Sequence, residues 1–131
     1  MLFGVYVLMA LGYAILGLAL LGVGGTLSVS AGRHLLTVGA LGLNVYVVLC
    51  IAGRIHCGRR LDEQPWVPLG AVLLVAAAGL RAGADSPLGL AAAGLCWMLP
   101  FAAYVGYQWP LLTRPRTDGS SGCAGIAPAS E

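Results

Sequence analysis

Charge is scarce in this chain. Only 9% of its 131 residues are Asp, Glu, Lys or Arg, against roughly 25% in an average soluble domain. Lysine is absent, and all seven basic residues are arginines. Each arginine lies outside or at the end of an apolar run, as expected when an arginine at the centre of a transmembrane helix costs about 2.5–3.5 kcal/mol. No acid falls inside a long apolar run, which removes the intramembrane carboxylate of a proton relay. A net charge of +2 is too small to mark a nucleic-acid partner. P-loop, dinucleotide fingerprint, catalytic triad and catalytic carboxylate pair are all missing, and Cys50, Cys57, Cys96 and Cys123 form no C-x-x-C pair. Nucleotide chemistry, triad hydrolysis, zinc knuckles and dithiol exchange therefore have no signal. The short alternating segments of a membrane barrel are missing as well.

What remains is apolar: 59% of residues are hydrophobic and the mean hydropathy is +0.88. These values predict an all-α membrane protein, a four-helix transmembrane bundle with the lipid bilayer as its solvent. The first span is residues 2–23, whose length corresponds to about 33 Å of helix, enough to cross the hydrocarbon core. Val29-Ser30-Ala31 resembles a signal-peptidase site, but the apolar run before it is too long and lacks a basic leader. Glycines and hydroxyl residues over 22–30 form a turn. The second span is 35–53, followed by a charged loop closed by Pro65. The third, 66–84, is the shortest in apolar residues and needs Arg81 to snorkel to the interface. The fourth, 87–112, carries Pro100 inside and Tyr104, Tyr107 and Trp109 toward its exit. Residues 113–131 have too little apolar surface to fold alone and are expected to be a disordered tail. Four spans put both termini on one side together with Arg54, Arg59, Arg60, Arg114 and Arg116, leaving Arg33 and Arg81 on the other. The positive-inside rule makes the first side cytoplasmic, an N-in/C-in topology with His34 at the outer face and His56 at the inner.

The two histidines bracket the second span. His34, Thr37, Leu41 and Asn44 follow steps of three and four residues, so on an α-helix they share one narrow stripe. Polar residues at membrane depth usually point into the bundle, and Thr37 and Asn44 are expected to join helices through side-chain hydrogen bonds. His34 is either an interfacial imidazole or a ligand to haem iron or copper through its neutral nitrogen. His56, beside Cys57, has the same two readings. The pair cannot share one metal, because 22 residues of helix separate them by about 33 Å. Cys50, His56 and Cys57, or Cys96 with Met98, are conceivable soft sites for Cu(I), set against the ordinary packing role of buried sulfur. Small-residue pairs Ala10/Ala14, Gly39/Gly42 and Gly89/Ala93 allow close helix approach within the chain, with other membrane helices, or in a homo-oligomer.

The run His34-Leu35-Leu36-Thr37-Val38-Gly39-Ala40-Leu41-Gly42 resembles a signature of the NnrS family, polytopic bacterial membrane proteins of the nitric-oxide response that carry haem and copper. His56-Cys57-Gly58-Arg59 with Leu61 is similar to that family's following loop, and Leu112, Arg114-Pro115-Arg116 and Asp118-Gly119 to its C-terminal ending. Arg81 and Trp97 also stand at matching positions. Family members are longer, so the chain resembles their C-terminal part, which is expected of either a truncated form or a free-standing short form. Ala10 in Met9-Ala10-Leu11-Gly12-Tyr13 stands where the family carries a histidine, Cys57 stands for a threonine, and no glycine precedes His56. The resemblance implies a protein of the bacterial inner membrane in nitrosative-stress physiology, with His34 and His56 as haem or metal ligands. Two readings from other classes stand beside it. One is a structural or assembly subunit of a membrane complex without cofactor. The other is a small-solute transporter, disfavoured by the lack of intramembrane acids and of repeated halves.

Overall fold

The computed structural model describes residues 1–23, 25, 28–61, 64–116 and 119. Among the described residues four helices are long and apolar enough to cross a membrane: α1 (Leu2–Leu20), α2 (Val29–His56), α3 (Trp66–Gly83) and α4 (Pro87–Leu112). No strand occurs among the described residues, and the architecture is an all-helical transmembrane bundle. Most of the expected disordered tail, 117–118 and 120–131, lies outside the described residues.

The helix boundaries follow local chemistry. After Leu20 the chain turns at Gly22, whose φ of +68° is a left-handed conformation that glycine adopts without steric cost. The second span starts at Val29, six residues before the position hydropathy suggests, because Ser28 caps it: its Oγ accepts from the Ala31 amide at 3.0 Å. Arg33 and His34 are thereby drawn into the helix, not left in a loop. The link from α3 to α4 is only Ala84 to Ser86. Ser86 Oγ accepts from Gly89 N at 3.2 Å, and Pro87 sits at the first helical position, where its missing amide proton is no loss. The helix then continues through Pro100 and Pro110.

α2 is the centre of the bundle. In its most apolar 18-residue window 44% of residues are buried, against 11–22% for the other three helices. It is also irregular. Val29–His34 is α-helical, Leu35–Leu41 widens into a π-helix, and Gly42–His56 returns to α-helix. Thr37 Oγ1 donates to the Arg33 carbonyl at 2.9 Å, competing for the acceptor that an α-helical amide would use. The widened turn seats Gly39 against Ala78 of α3 and Leu8 of α1, where a Cβ would come within 2.9 Å of the Ala78 Cβ.

Close approach of backbones, available only to glycine, also sets the α1–α2 crossing. A Cβ at Gly32 would lie 2.8 Å from the Leu16 amide nitrogen and 3.0 Å from the Gly12 carbonyl oxygen. Tyr46 fills the middle of the core with no exposed surface. Its hydroxyl donates to the Trp66 carbonyl at 3.3 Å, and its ring meets those of Trp66 and Phe101 edge-on, at centroid distances of 6.3 and 5.9 Å. Gly70 makes room for that hydroxyl, which a Cβ there would strike.

The ends of the bundle are set by two contacts. Met1, Leu2 and Phe3 border the same cavity as Arg54, Leu61 and Trp66, and Cys57 Sγ donates to the Leu111 carbonyl at 3.5 Å. The start of α1, the α2–α3 connection and the exit of α4 thus share one end. His34 and Arg81 act electrostatically on each other at the opposite end.

Candidate functional site

The two histidines stand at opposite ends of one continuous helix. His34 is half-buried, with Arg81 of α3 near it. His56 is the exposed last residue of α2, immediately before the turn through Cys57 and Gly58. Among the described residues no three His, Cys, Asp or Glu side chains gather around a point that could hold a metal. The soft sites conceivable from sequence are not assembled. Cys50 and Cys57 are buried, and the Cys57 thiol points inward to Leu111 while His56 is exposed. Cys96 and Met98 are two positions apart on α4, and residues at that spacing do not face each other on a helix.

The polar stripe also departs from expectation. Thr37, Leu41 and Asn44 are all exposed on the outside of the bundle, not turned into it. The Thr37 hydroxyl bonds its own helix, so it does not join α2 to a neighbour. The widened π-helical turn over Leu35–Leu41 changes the angular step between them, and spacing carries no information on which face of α2 meets α1 and α3. That was decided by Gly32, Gly39 and Gly42, which are buried.

A second polar cluster, which the sequence reading missed, lies at the His56 end between α2 and α4. Gly53 is its centre: a Cβ there would come within 3.0 Å of both Gln108 Nε2 and the Tyr104 hydroxyl. Tyr104 lies near both Cys50 and Cys57. Gln108 is 1% exposed, and its Nε2 has no hydrogen-bond partner. A signal for it was present in the sequence: a glutamine within an otherwise apolar span is a polar residue at membrane depth. A buried donor without an acceptor carries its full desolvation cost, about 1–3 kcal/mol. Gln108→Met keeps the length of the side chain and removes the donor, so it is expected to raise unfolding stability in detergent by about that amount. A clear fall in stability instead would show that the amide is satisfied.

Two well-formed cavities are found among the described residues. The larger, about 910 Å³, lies at the His56 end and is lined mainly by apolar side chains with Arg54, Gln64 and Cys50. The smaller, about 380 Å³, is a groove between α1 and α2 lined by residues that include Tyr6, Tyr13 and Asn44. Neither contains a histidine. A haem enclosed by this chain and ligated through a histidine in one of these cavities does not fit, nor does a three-ligand copper centre built from the described residues. What fits His34 is single-point ligation from a partly exposed imidazole, the rest of the pocket being supplied from outside the chain.

A family model described as NnrS protein matches residues 1–116. No curated protein and no solved structure matches the chain.

Proposed function

The chain belongs to the NnrS family, and from that premise we propose that it is an integral membrane component of the response to nitric oxide and nitrosative stress that binds haem or copper through His34. The observation that carries this reading is the family match across all four membrane-spanning helices, with His34 at the head of the π-helical segment. π-Helical turns inside α-helices are frequent at functional sites, because they re-aim side chains. Arg81 beside His34 supplies a cation suited to a carboxylate of a bound group. When bound, haem or copper would supply the redox and ligand-binding chemistry; His34 would contribute a neutral imidazole nitrogen. His56 is the second proposed ligand, acting separately at the far end. Cys57 is the least suited, since its thiol is turned into the bundle.

The proposed setting is the bacterial inner membrane with both termini cytoplasmic. Its support is the arginine distribution: Arg54, Arg59, Arg60, Arg114 and Arg116 belong to the end shared by the start of α1 and the exit of α4, and Arg33 and Arg81 to the other. A role as an assembly subunit of a larger membrane complex is the second reading, favoured by the outward-facing Asn44.

Purified protein is expected to show a Soret band or stoichiometric copper. The signal should be lost in His34→Ala while helical circular dichroism is unchanged, and His56→Ala should retain most of it. Wild-type protein with neither haem nor copper, or a His34→Ala variant that binds as the wild type does, would overturn the assignment.

A further inference from the structure

Gly32 and Gly39 stand seven positions apart on α2, a spacing that on a regular α-helix returns to nearly the same face, with a drift of about 20°. They meet different neighbours. The atoms nearest to a Cβ at Gly32 all belong to Leu16 and Gly12 of α1, whereas the nearest to a Cβ at Gly39 is the Ala78 Cβ of α3, at 2.9 Å. Between the two glycines the helix widens over Leu35–Leu41. A π-helical turn takes up more residues than an α-helical one, and each extra residue offsets the flanking α-helical stretches by about 100°, the angular step of one α-helical residue. His34 belongs to the first stretch, Val29–His34, which packs on both α1 and α3. Arg81 of α3 is within electrostatic reach of it. The offset therefore decides whether His34 looks toward α3. One hydrogen bond marks the junction: Thr37 Oγ1 donates to the Arg33 carbonyl at 2.9 Å, across the place where the regular helix gives way to the wide one. A hydroxyl bonded to the carbonyl four residues back bends a helix and competes with its regular ladder.

We infer that Thr37 is a positioning residue for His34: its hydroxyl, held on the Arg33 carbonyl, keeps the turn over Leu35–Leu41 wide, and the wide turn aims His34 at Arg81. Without the hydroxyl the segment relaxes toward the α-helix, the form that π turns rarely displace. His34 then swings by about 100° around the helix axis. The purpose of this aim rests on the reading of His34 as a ligand, but the aim itself is a property of the polypeptide and exists with nothing bound.

The test introduces His34→Cys and Arg81→Cys together in the full chain in liposomes, with Cys96 and Cys123 replaced by serine; Cys50 and Cys57 are buried toward the His56 end. A short bifunctional thiol reagent is expected to join positions 34 and 81 within one chain, read by mass spectrometry of the linked fragments. Thr37→Val keeps the shape of the side chain and loses the hydroxyl. It should lower the linked fraction by at least about threefold, the shift that loss of one neutral hydrogen bond gives a two-state equilibrium. Thr37→Ser should restore the link, and Thr37→Ala should match Thr37→Val, which separates the hydroxyl from the β-branch. Helical circular dichroism should be the same in all of them, because Thr37 is exposed on the outside of the bundle. The inference is overturned if positions 34 and 81 do not link with Thr37 present, if Thr37→Val links as fully as its parent, or if Thr37→Ser behaves like Thr37→Val. Haem and copper binding are measured separately with His34 intact. Absence of both would overturn the ligand reading and leave the cross-linking result standing, whereas a bound group with cross-linking indifferent to Thr37 would overturn only the role of Thr37.

Discussion

Tyr46→Ala is expected to lower unfolding stability by about 3 kcal/mol, the lower end of the range for truncating a buried aromatic side chain. The residue has no exposed surface and is the meeting point of α2, α3 and α4 through Trp66, Phe101 and its hydrogen bond to the Trp66 carbonyl. In a bilayer the outside medium is as apolar as the core, so the cost comes mainly from lost packing and not from transfer into water. The cavity would open between Trp66, Phe101 and Gly70, on helices that the rest of the bundle holds in place. Tyr46→Phe separates the two contributions: it retains the ring and loses one neutral hydrogen bond, about 0.5–1.5 kcal/mol. Equilibrium unfolding of both variants in mixed micelles measures the difference. A Tyr46→Ala cost no greater than that of Tyr46→Phe would mean that the ring is not the keystone described above.

Gly32→Leu should be at least as damaging, about 3 kcal/mol or more, at the top of the range for overpacking. What decides the magnitude is the identity of the atoms in the way. A Cβ at position 32 would meet the Leu16 amide nitrogen at 2.8 Å and the Gly12 carbonyl oxygen at 3.0 Å. Both are backbone atoms of a helix, so no rotamer change relieves the contact and α1 must move as a unit. Displacing α1 also moves Leu8 off Gly39, since Leu8 packs there. Gly79 on α3 is the control, because a Cβ there meets nothing within 4 Å; Gly79→Ala is expected to be neutral or to stabilise by up to about 1 kcal/mol through helix propensity alone. If Gly32→Leu and Gly79→Leu unfold at the same denaturant concentration, α1 does not pack on α2 as described.

Hydropathy and family resemblance account for most of what was legible in the chain. Four apolar segments separated by arginine-bearing or glycine-rich connections imply four membrane-spanning helices, because the cost of placing a charge in hydrocarbon is a property of each residue by itself. The family is written in contiguous strings such as His34 to Gly42 and His56 to Arg59, which need no three-dimensional information to be recognised. The separation of the two histidines is equally one-dimensional: helical rise keeps residues 22 positions apart from sharing an ion.

The direction each face takes was not legible. Thr37 and Asn44 were expected to point inward because polar residues in membranes usually do; they point outward because the inner face of α2 is taken by Gly32, pressed on the α1 backbone, and by Gly39 and Gly42, pressed on side chains of α1, α3 and α4. The π-helix has no signature in residue propensity, and it arises where Gly39 is pressed against Ala78 and Leu8. Gln108 reads as an ordinary polar residue near a helix exit until its burial against Gly53 is seen. The sequence by itself determined that the chain is a helical membrane protein, how many times it is able to cross, and its family. Only the tertiary structure decided which residues face each other, which polar groups are left without partners, and that the two histidines share neither cavity. The physical reason is that solvation in lipid is a sum over single residues, whereas packing is a relation between pairs distant along the chain.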